Sequence, residues 1–221
     1  CLAANHHGAV ALASAAAERD IASCTLSSDL VFDGEAGRAY REDDAPAPLN
    51  VYGLSKARAE ADIAALPGRH LVARTAAFFG HRDEHNFAVH AARALAAGER
   101  FAAASDLVVS PTYVPDLASA IIDLMIDGEE GLWHLANRGE TSWAGMAALV
   151  ADALGLDAEL IDPVPGESFG WPARRPSHVP LESARGAPMP ALDHALARFA
   201  TGLSAGDGVA VGCRERQRVR A

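Results

Sequence analysis

The sequence predicts an α/β fold built on a doubly wound parallel sheet. Short, β-branched, apolar segments alternate along the chain with helical patterns of 12–15 residues, the signature of strands joined by crossover helices. The 221 residues are 50% hydrophobic and 22% charged, enough apolar content for a sizeable core, and this excludes disorder as the overall state. In such a fold, ligands sit beyond the carboxyl ends of the strands.

The elements follow in order. Residues 5–18 place Val10, Leu12 and neighbouring alanines at helical spacing, and residues 21–32 form a short apolar run, so a helix feeds a buried strand. A polar loop over 33–50 leads to a helix of good formers over 51–66, which carries Glu60 and ends at Pro67-Gly68. Residues 70–80 read as a second buried strand and 85–97 as a helix, followed by a short apolar piece at 107–109. A helix over 114–127 sets Leu117, Ile121, Leu124 and Met125 on one face. Residues 131–137 read as a strand. Thr141 is then expected to cap a helix running to Leu154, with Trp143, Met146, Leu149, Val150 and Leu154 as its core face. A Pro-rich passage over 163–190 precedes a last helix over 191–203, and residues 204–221, Gly-rich and then Arg-rich, are expected to be a disordered tail.

Charge and cysteine usage narrow the function classes. The net charge is −10, which argues against nucleic acid as a partner. No apolar run is long enough for a membrane span and no signal-peptide pattern opens the chain, so a cytoplasmic protein with no membrane partner is expected. Cys1, Cys24 and Cys213 are widely spaced, without a Cys-x-x-Cys pair, and suggest reduced thiols. His81, Asp83, His85 and His90 fit no ligand spacing, so no metal site is expected.

The chemistry concentrates in residues 23–75. Tyr52 and Lys56 are four residues apart on a helix, so their side chains rise from one face. A neighbouring ammonium favours the phenolate and brings a phenol toward useful acid–base range, so the pair can exchange a proton with a carbonyl or an alcohol. Taken alone, Tyr-x-x-x-Lys far more often marks an amphipathic helix with a half-buried Tyr and a solvated Lys. Here it follows a strand ending in Ser27-Ser28-Asp29, and Lys56 is the single Lys beside eighteen Arg.

These residues carry a resemblance. The run SSDLVFDG, then Tyr40-Arg41-Glu42-Asp43-Asp44, Pro48-Leu49-Asn50-Val51-Tyr52-Gly53-Leu54-Ser55-Lys56 and Glu60 resembles the extended short-chain dehydrogenase/reductases, and within them the dTDP-4-dehydrorhamnose reductases. The likeness continues through Arg74-Thr75, Asn86-Phe87, Ser110-Pro111-Thr112-Tyr113, Gly139-Glu140-Thr141-Ser142-Trp143 and Ala173-Arg174-Arg175-Pro176, covering about residues 3–200. It implies NAD(P)H-dependent reduction of the 4-keto group of a nucleotide-linked 6-deoxy sugar. Tyr52 would be the proton donor, Ser28 a hydrogen-bond donor to the same oxygen, and Lys56 the ligand of the nicotinamide ribose. Asn5, Ser27 and Arg74 would complete the cofactor-binding set with Tyr52 and Lys56. It also implies a division in which 1–80 and 112–137 form part of a Rossmann-like NAD(P)-binding domain while 81–111 and 138–203 form a smaller α/β lobe for the sugar nucleotide. A homodimer is a further expectation.

Three departures qualify this picture. The family's Gly-rich turn, which receives the dinucleotide pyrophosphate, is not in the sequence; with a chain that opens on Cys rather than Met, this is expected to reflect a missing or separately fused amino-terminal segment and weak NADH or NADPH binding. Ala77 stands where the rhamnose enzymes carry Trp, and Leu30 where they carry Tyr, so aromatic surface is lost from the expected sugar pocket. Arg174 and Arg175 either meet a diphosphate or clamp the Pro-rich loop at the surface. A non-catalytic binding or regulatory module of the same fold is the alternative from another class. An epimerase or dehydratase would want further acid–base residues beside the Ser.

Overall fold

The computed structural model describes residues 1–206. Its strands are β1 (Ser23–Ser28), β2 (His70–Thr75), β3 (Phe78–Phe79), β4 (Phe101–Ala104), β5 (Val108–Val109), β6 (Thr112–Tyr113), β7 (Gly131–His134), β8 (Thr141–Ser142) and β9 (Ile161–Val164). Its helices are α1 (Ala9–Ala17), preceded by a wide π-type turn over Ala3–Gly8, then α2 (Val51–Ala64), α3 (Phe87–Ala96), α4 (Val114–Ile126), α5 (Trp143–Leu154) and α6 (Leu192–Gly206).

The main sheet is parallel, in the order β1-β2-β7, with Ser28 beside Thr75 and Leu71 beside Gly131. All six residues of β2 are buried, because helices cover both of its faces. Val72 packs with Ala13 of α1 and with Ala59 and Ile63 of α2. Leu71 and Ala73 pack on the opposite side with Leu117, Ala120 and Leu124 of α4 and with Trp133. This is the doubly wound arrangement expected from the alternation. A second, parallel pair, β4 with β9, is covered by α3 and α5, where Ala91, Ala103, Ala144 and Ala147 allow close approach. The largest apolar cluster joins Phe79 and Tyr113 to α3, α5 and α6 around Phe199.

Several boundaries differ from the sequence reading. The first strand stops at Ser28, and Asp29–Val31 turns as a single 3₁₀ coil because the Ser28 hydroxyl accepts the Leu30 N–H at 3.2 Å. The strand expected over 70–80 breaks after Thr75, with Ala77 at φ +42°, and resumes as β3, which pairs with β6. Ser142, not Thr141, caps α5, accepting the Gly145 N–H at 3.0 Å, while Thr141 pairs with Val109. β4 and β9 went unforeseen, since an Ala-rich run reads as helix and Pro163 argues against a strand except at an edge. Leu149, expected in the core, is 38% exposed. The last helix runs to Gly206, three residues beyond the expected end, and the remainder of the expected tail, residues 207–221, lies outside the described residues. Among the described residues no helix is long and apolar enough to cross a membrane.

Candidate active site

The carboxyl ends of β1 and β2 open onto a cleft of about 260 Å³ whose wall includes Ser28, Asp29, Tyr52 and Arg175. The local sequence explains how Tyr52 arrives there. Asn50 caps α2 by accepting the Gly53 N–H at 2.9 Å, and its own amide donates to the Arg174 carbonyl at 3.0 Å, tying the helix start to the Pro-rich passage. Gly53 then lies directly against the Leu30 carbonyl, where a Cβ would collide with backbone oxygen. The first turn of α2 can therefore sit on the Asp29–Val31 coil, and Tyr52 stands beside Ser28.

Tyr52 is 38% exposed, and its hydroxyl and that of Ser28 share the cleft wall. Burial lifts the phenol above its ordinary pKa and the Asp29 charge adds to this, while the Ser28 hydroxyl acts in the opposite sense. The expected lowering by Lys56 is not what this geometry gives. Lys56 instead donates to the Leu26 carbonyl of β1 at 2.9 Å, with its ammonium 5.8 Å from the centre of the Tyr52 ring. Burial lowers the Lys56 pKa, and the charge of Glu60 partly opposes this. Tyr52 and Lys56 therefore lie on one side of α2, as their spacing predicts. Ser28 donates to Asp29 Oδ1 at 2.9 Å. Asp29 is 5% exposed, and burial raises its carboxyl to about 6 despite the Ser28 bond and the nearby charge of Arg175.

Of the remaining expected cofactor residues, Ser27 lines the cleft while Arg74 and Asn5 do not. Arg74, 2% exposed, does not reach the cleft: Nε and Nη2 donate to Glu60 at 3.0 and 2.7 Å, its guanidinium lies over the Phe32 ring, and Nη1 meets His134 Nε2 at 3.3 Å. His134 Nδ1 faces the carbonyls of Tyr40 and Glu182, so Nδ1 carries the proton and Nε2 accepts from Arg74. Ser27 borders the cleft, but its hydroxyl donates to Glu60. This buried chain of Ser27, Glu60, Arg74 and His134 fastens β1, α2, β2 and β7 beneath the site. Asn5 sits half-buried in the π-type turn that packs on α2.

The cleft also holds residues that the sequence reading placed differently. Trp143, assigned to the core face of its helix, lines the cleft wall. Its position at the start of α5, next to the cap, is the signal that could have found it. Ala77 and Leu30, the two departures from the family pattern, both line the cleft as well. Among the described residues no group of three or more His, Cys, Asp and Glu stands close enough together to hold a metal ion.

Comparison with known proteins decides the family. The RmlD substrate binding domain matches residues 1–198. The chain belongs to this family. The RmlD-family chain is 33% identical over 181 residues to the dTDP-4-keto-6-deoxy-D-glucose reductase of Streptomyces niveus, covering 81% of this chain and 62% of that one. It is 36% identical over 189 residues to the dTDP-4-dehydrorhamnose reductase of Mycolicibacterium smegmatis, covering 84% and 57%. Its fold superposes on the dTDP-4-dehydrorhamnose reductase of Bacillus anthracis, solved in complex with NADP, with a TM-score of 0.82 at 30% identity, over 88% of this chain and 70% of that one. The chain spans about three fifths of the length of the curated relatives it matches.

Proposed function

We propose that this protein reduces the 4-keto group of a nucleotide-linked 6-deoxy sugar with NAD(P)H. The observation that carries the reading is the meeting of Ser28 and Tyr52 in one cleft at the carboxyl end of β1, with Lys56 one turn further along the same face of α2. The reductase names of the relatives support it.

The residues present fit the nicotinamide end of the cofactor. Lys56 uses one of its three N–H donors on the Leu26 carbonyl, leaving two for ribose hydroxyls beside Tyr52. They do not form a pyrophosphate cradle: the sequence has no Gly-x-x-Gly-x-x-Gly run, and the start of α2 is closed by Asn50 and the Arg174 carbonyl. When bound, NAD(P)H supplies the hydride. Tyr52, whose raised pKa keeps the phenol protonated through neutral pH, gives its proton to the sugar oxygen as charge develops there. Ser28, turning its single O–H away from Asp29 Oδ1, donates a hydrogen bond to the same oxygen and stabilises that charge. The Lys56 ammonium holds the cofactor ribose and adds positive charge near the phenol once Tyr52 gives up its proton.

The test is reduction of a dTDP-4-dehydro-6-deoxy sugar, followed by nicotinamide absorbance, with the chain fused behind the Gly-rich unit of a reductase relative. Substrate-dependent oxidation of NADPH or NADH is expected. Binding of the sugar nucleotide without turnover on any keto sugar would establish the non-catalytic module instead.

A further inference from the structure

Much of the cleft wall around Ser28 and Tyr52 has no side chain that can hydrogen-bond: Leu30, Ala77, Phe78, Leu107, Val109 and Val179 all line it. The polar side chains beside them are largely committed. The Ser27 hydroxyl donates to Glu60, and the Thr75 hydroxyl donates to that of Thr112 at 3.1 Å. Arg175, whose guanidinium rests on the Trp171 ring at 4.4 Å, and Trp143, which meets Phe87 edge to face, can donate but cannot accept. Ser28 and Tyr52 serve the reacting oxygen. Among the described residues lining the cleft, Asp29 is the one carboxylate and so the strongest acceptor. Its Oδ1 lies 2.9 Å from the Ser28 hydroxyl.

A sugar hydroxyl buried against the apolar wall gives up its water and gains no partner, whereas one placed at Asp29 gains a charge-assisted bond. The ketone oxygen at carbon 4 and a hydroxyl at carbon 3 are neighbours on the sugar ring, as the Ser28 and Asp29 oxygens are neighbours in the cleft. When Ser28 turns its O–H to the ketone, Asp29 Oδ1 is vacated and free to accept the proton of the 3-hydroxyl. We propose that the cleft selects a 2,6-dideoxy-4-keto sugar, with Asp29 holding the 3-hydroxyl and the wall of Leu30, Ala77 and Val109 taking the bare carbon 2. The proposal rests on the keto-sugar reading of the cleft and names the substrate class of that same site. The reaction is the one already described: hydride from NAD(P)H adds to carbon 4, the carbonyl π-bond opens, and the oxygen takes the Tyr52 proton. Asp29 becomes a substrate-binding residue. Leu30 and Ala77, which depart from the pattern of the reductases this chain resembles, become part of what sets its choice of sugar.

The experiment compares three dTDP-linked 4-keto sugars, 6-deoxy, 2,6-dideoxy and 3,6-dideoxy, by kcat/KM with the fused enzyme and by calorimetric titration of the 221-residue chain. The 2,6-dideoxy sugar is expected to exceed the 6-deoxy sugar by about 10- to 100-fold, the range over which an apolar pocket rejects an added hydroxyl. The 3,6-dideoxy sugar is expected to fall about 10- to 100-fold below the 6-deoxy sugar, as for a lost hydrogen bond to a charged group. Val109→Thr, similar in shape but carrying a hydroxyl, should narrow the preference at carbon 2, and Leu30→Tyr should do the same. Asp29→Ala should erase the preference for a 3-hydroxyl and leave that at carbon 2, while Asp29→Asn, which keeps an acceptor without the charge, should retain part of it. Equal values for the 6-deoxy and 2,6-dideoxy sugars, or a full 3-hydroxyl preference in Asp29→Ala, would overturn the proposal. The two readouts separate it from the reductase reading. The expected order of affinities in a protein that reduces none of the three keeps the selectivity and removes the reductase. Reduction of all three alike keeps the reductase and removes the selectivity.

Discussion

Tyr52 and Asp29 hold their protons more tightly than the free side chains do, and burial is the first cause for both. In the proposed reduction, the consequence for Tyr52 is catalytic. Tyr52→Phe keeps the ring packing and deletes the proton, so reduction by the fused enzyme is expected to fall about 10²- to 10⁴-fold with sugar-nucleotide binding retained. Turnover that survives unchanged would remove Tyr52 from the mechanism. Lys56→Met should lower turnover and also weaken cofactor binding, and Lys56→Arg should restore little, because a planar fork misplaces the charge. For Asp29 the consequence is thermodynamic. Its folded pKa of about 6 lies above the roughly 3.9 of an unfolded chain, so the folded state binds the proton more tightly between those values. Stability from this group is present below about pH 4 and is lost as pH rises through about 6, an effect of about 2–3 kcal/mol. Asp29→Asn should therefore match the parent in urea unfolding near pH 4 and exceed it by up to that amount near pH 8. An unchanged difference across that range would show that the carboxyl is not held in its protonated form.

At the scale of elements, the site depends on how closely α2 approaches the end of β1. Gly53 permits that approach, and Gly53→Ala should lower both the melting temperature and turnover, since its Cβ can be accommodated only by moving the helix start away from Leu30. Beneath the site, Glu60 and Arg74 form a buried pair, and removing one partner leaves an uncompensated charge. Arg74→Ala or Glu60→Ala is expected to cost about 3–5 kcal/mol in urea unfolding, and a loss below about 1 would show that the pair is not desolvated. The sequence showed α2 by its good helix formers, α4 by its apolar face and β2 by its apolar run, and placed β1 inside a longer stretch. It did not show β4 and β9, whose Ala and Pro content opposes strand propensity and whose pairing comes only from packing against α3 and α5. Arg74 entered the expected cofactor set through the resemblance alone, and the fold turns its guanidinium inward to Glu60.

For the whole molecule, the sequence made legible the face on which Ser28, Tyr52 and Lys56 meet, because those residues are local to one βα unit. It left hidden what the distant Pro-rich passage contributes: Arg175 lines the cleft, and Asn50 donates to the neighbouring Arg174 carbonyl, 124 residues away. The same long-range closure bears on cofactor binding. A dinucleotide carries most of its charge at the pyrophosphate, which this fold receives on free backbone N–H groups at a helix start. Here the helix start beside Tyr52, that of α2, spends its Gly53 N–H on Asn50, and in the proposed reading Lys56 and Tyr52 serve the nicotinamide half. The 221-residue chain should therefore bind NADPH and NADH only weakly in calorimetric titration, and fusion behind a Gly-rich βα unit should strengthen binding sharply. Micromolar NADPH binding by the unfused chain would mean that its pyrophosphate is held by groups other than a Gly-rich turn, and that the capped start of α2 does not limit cofactor binding.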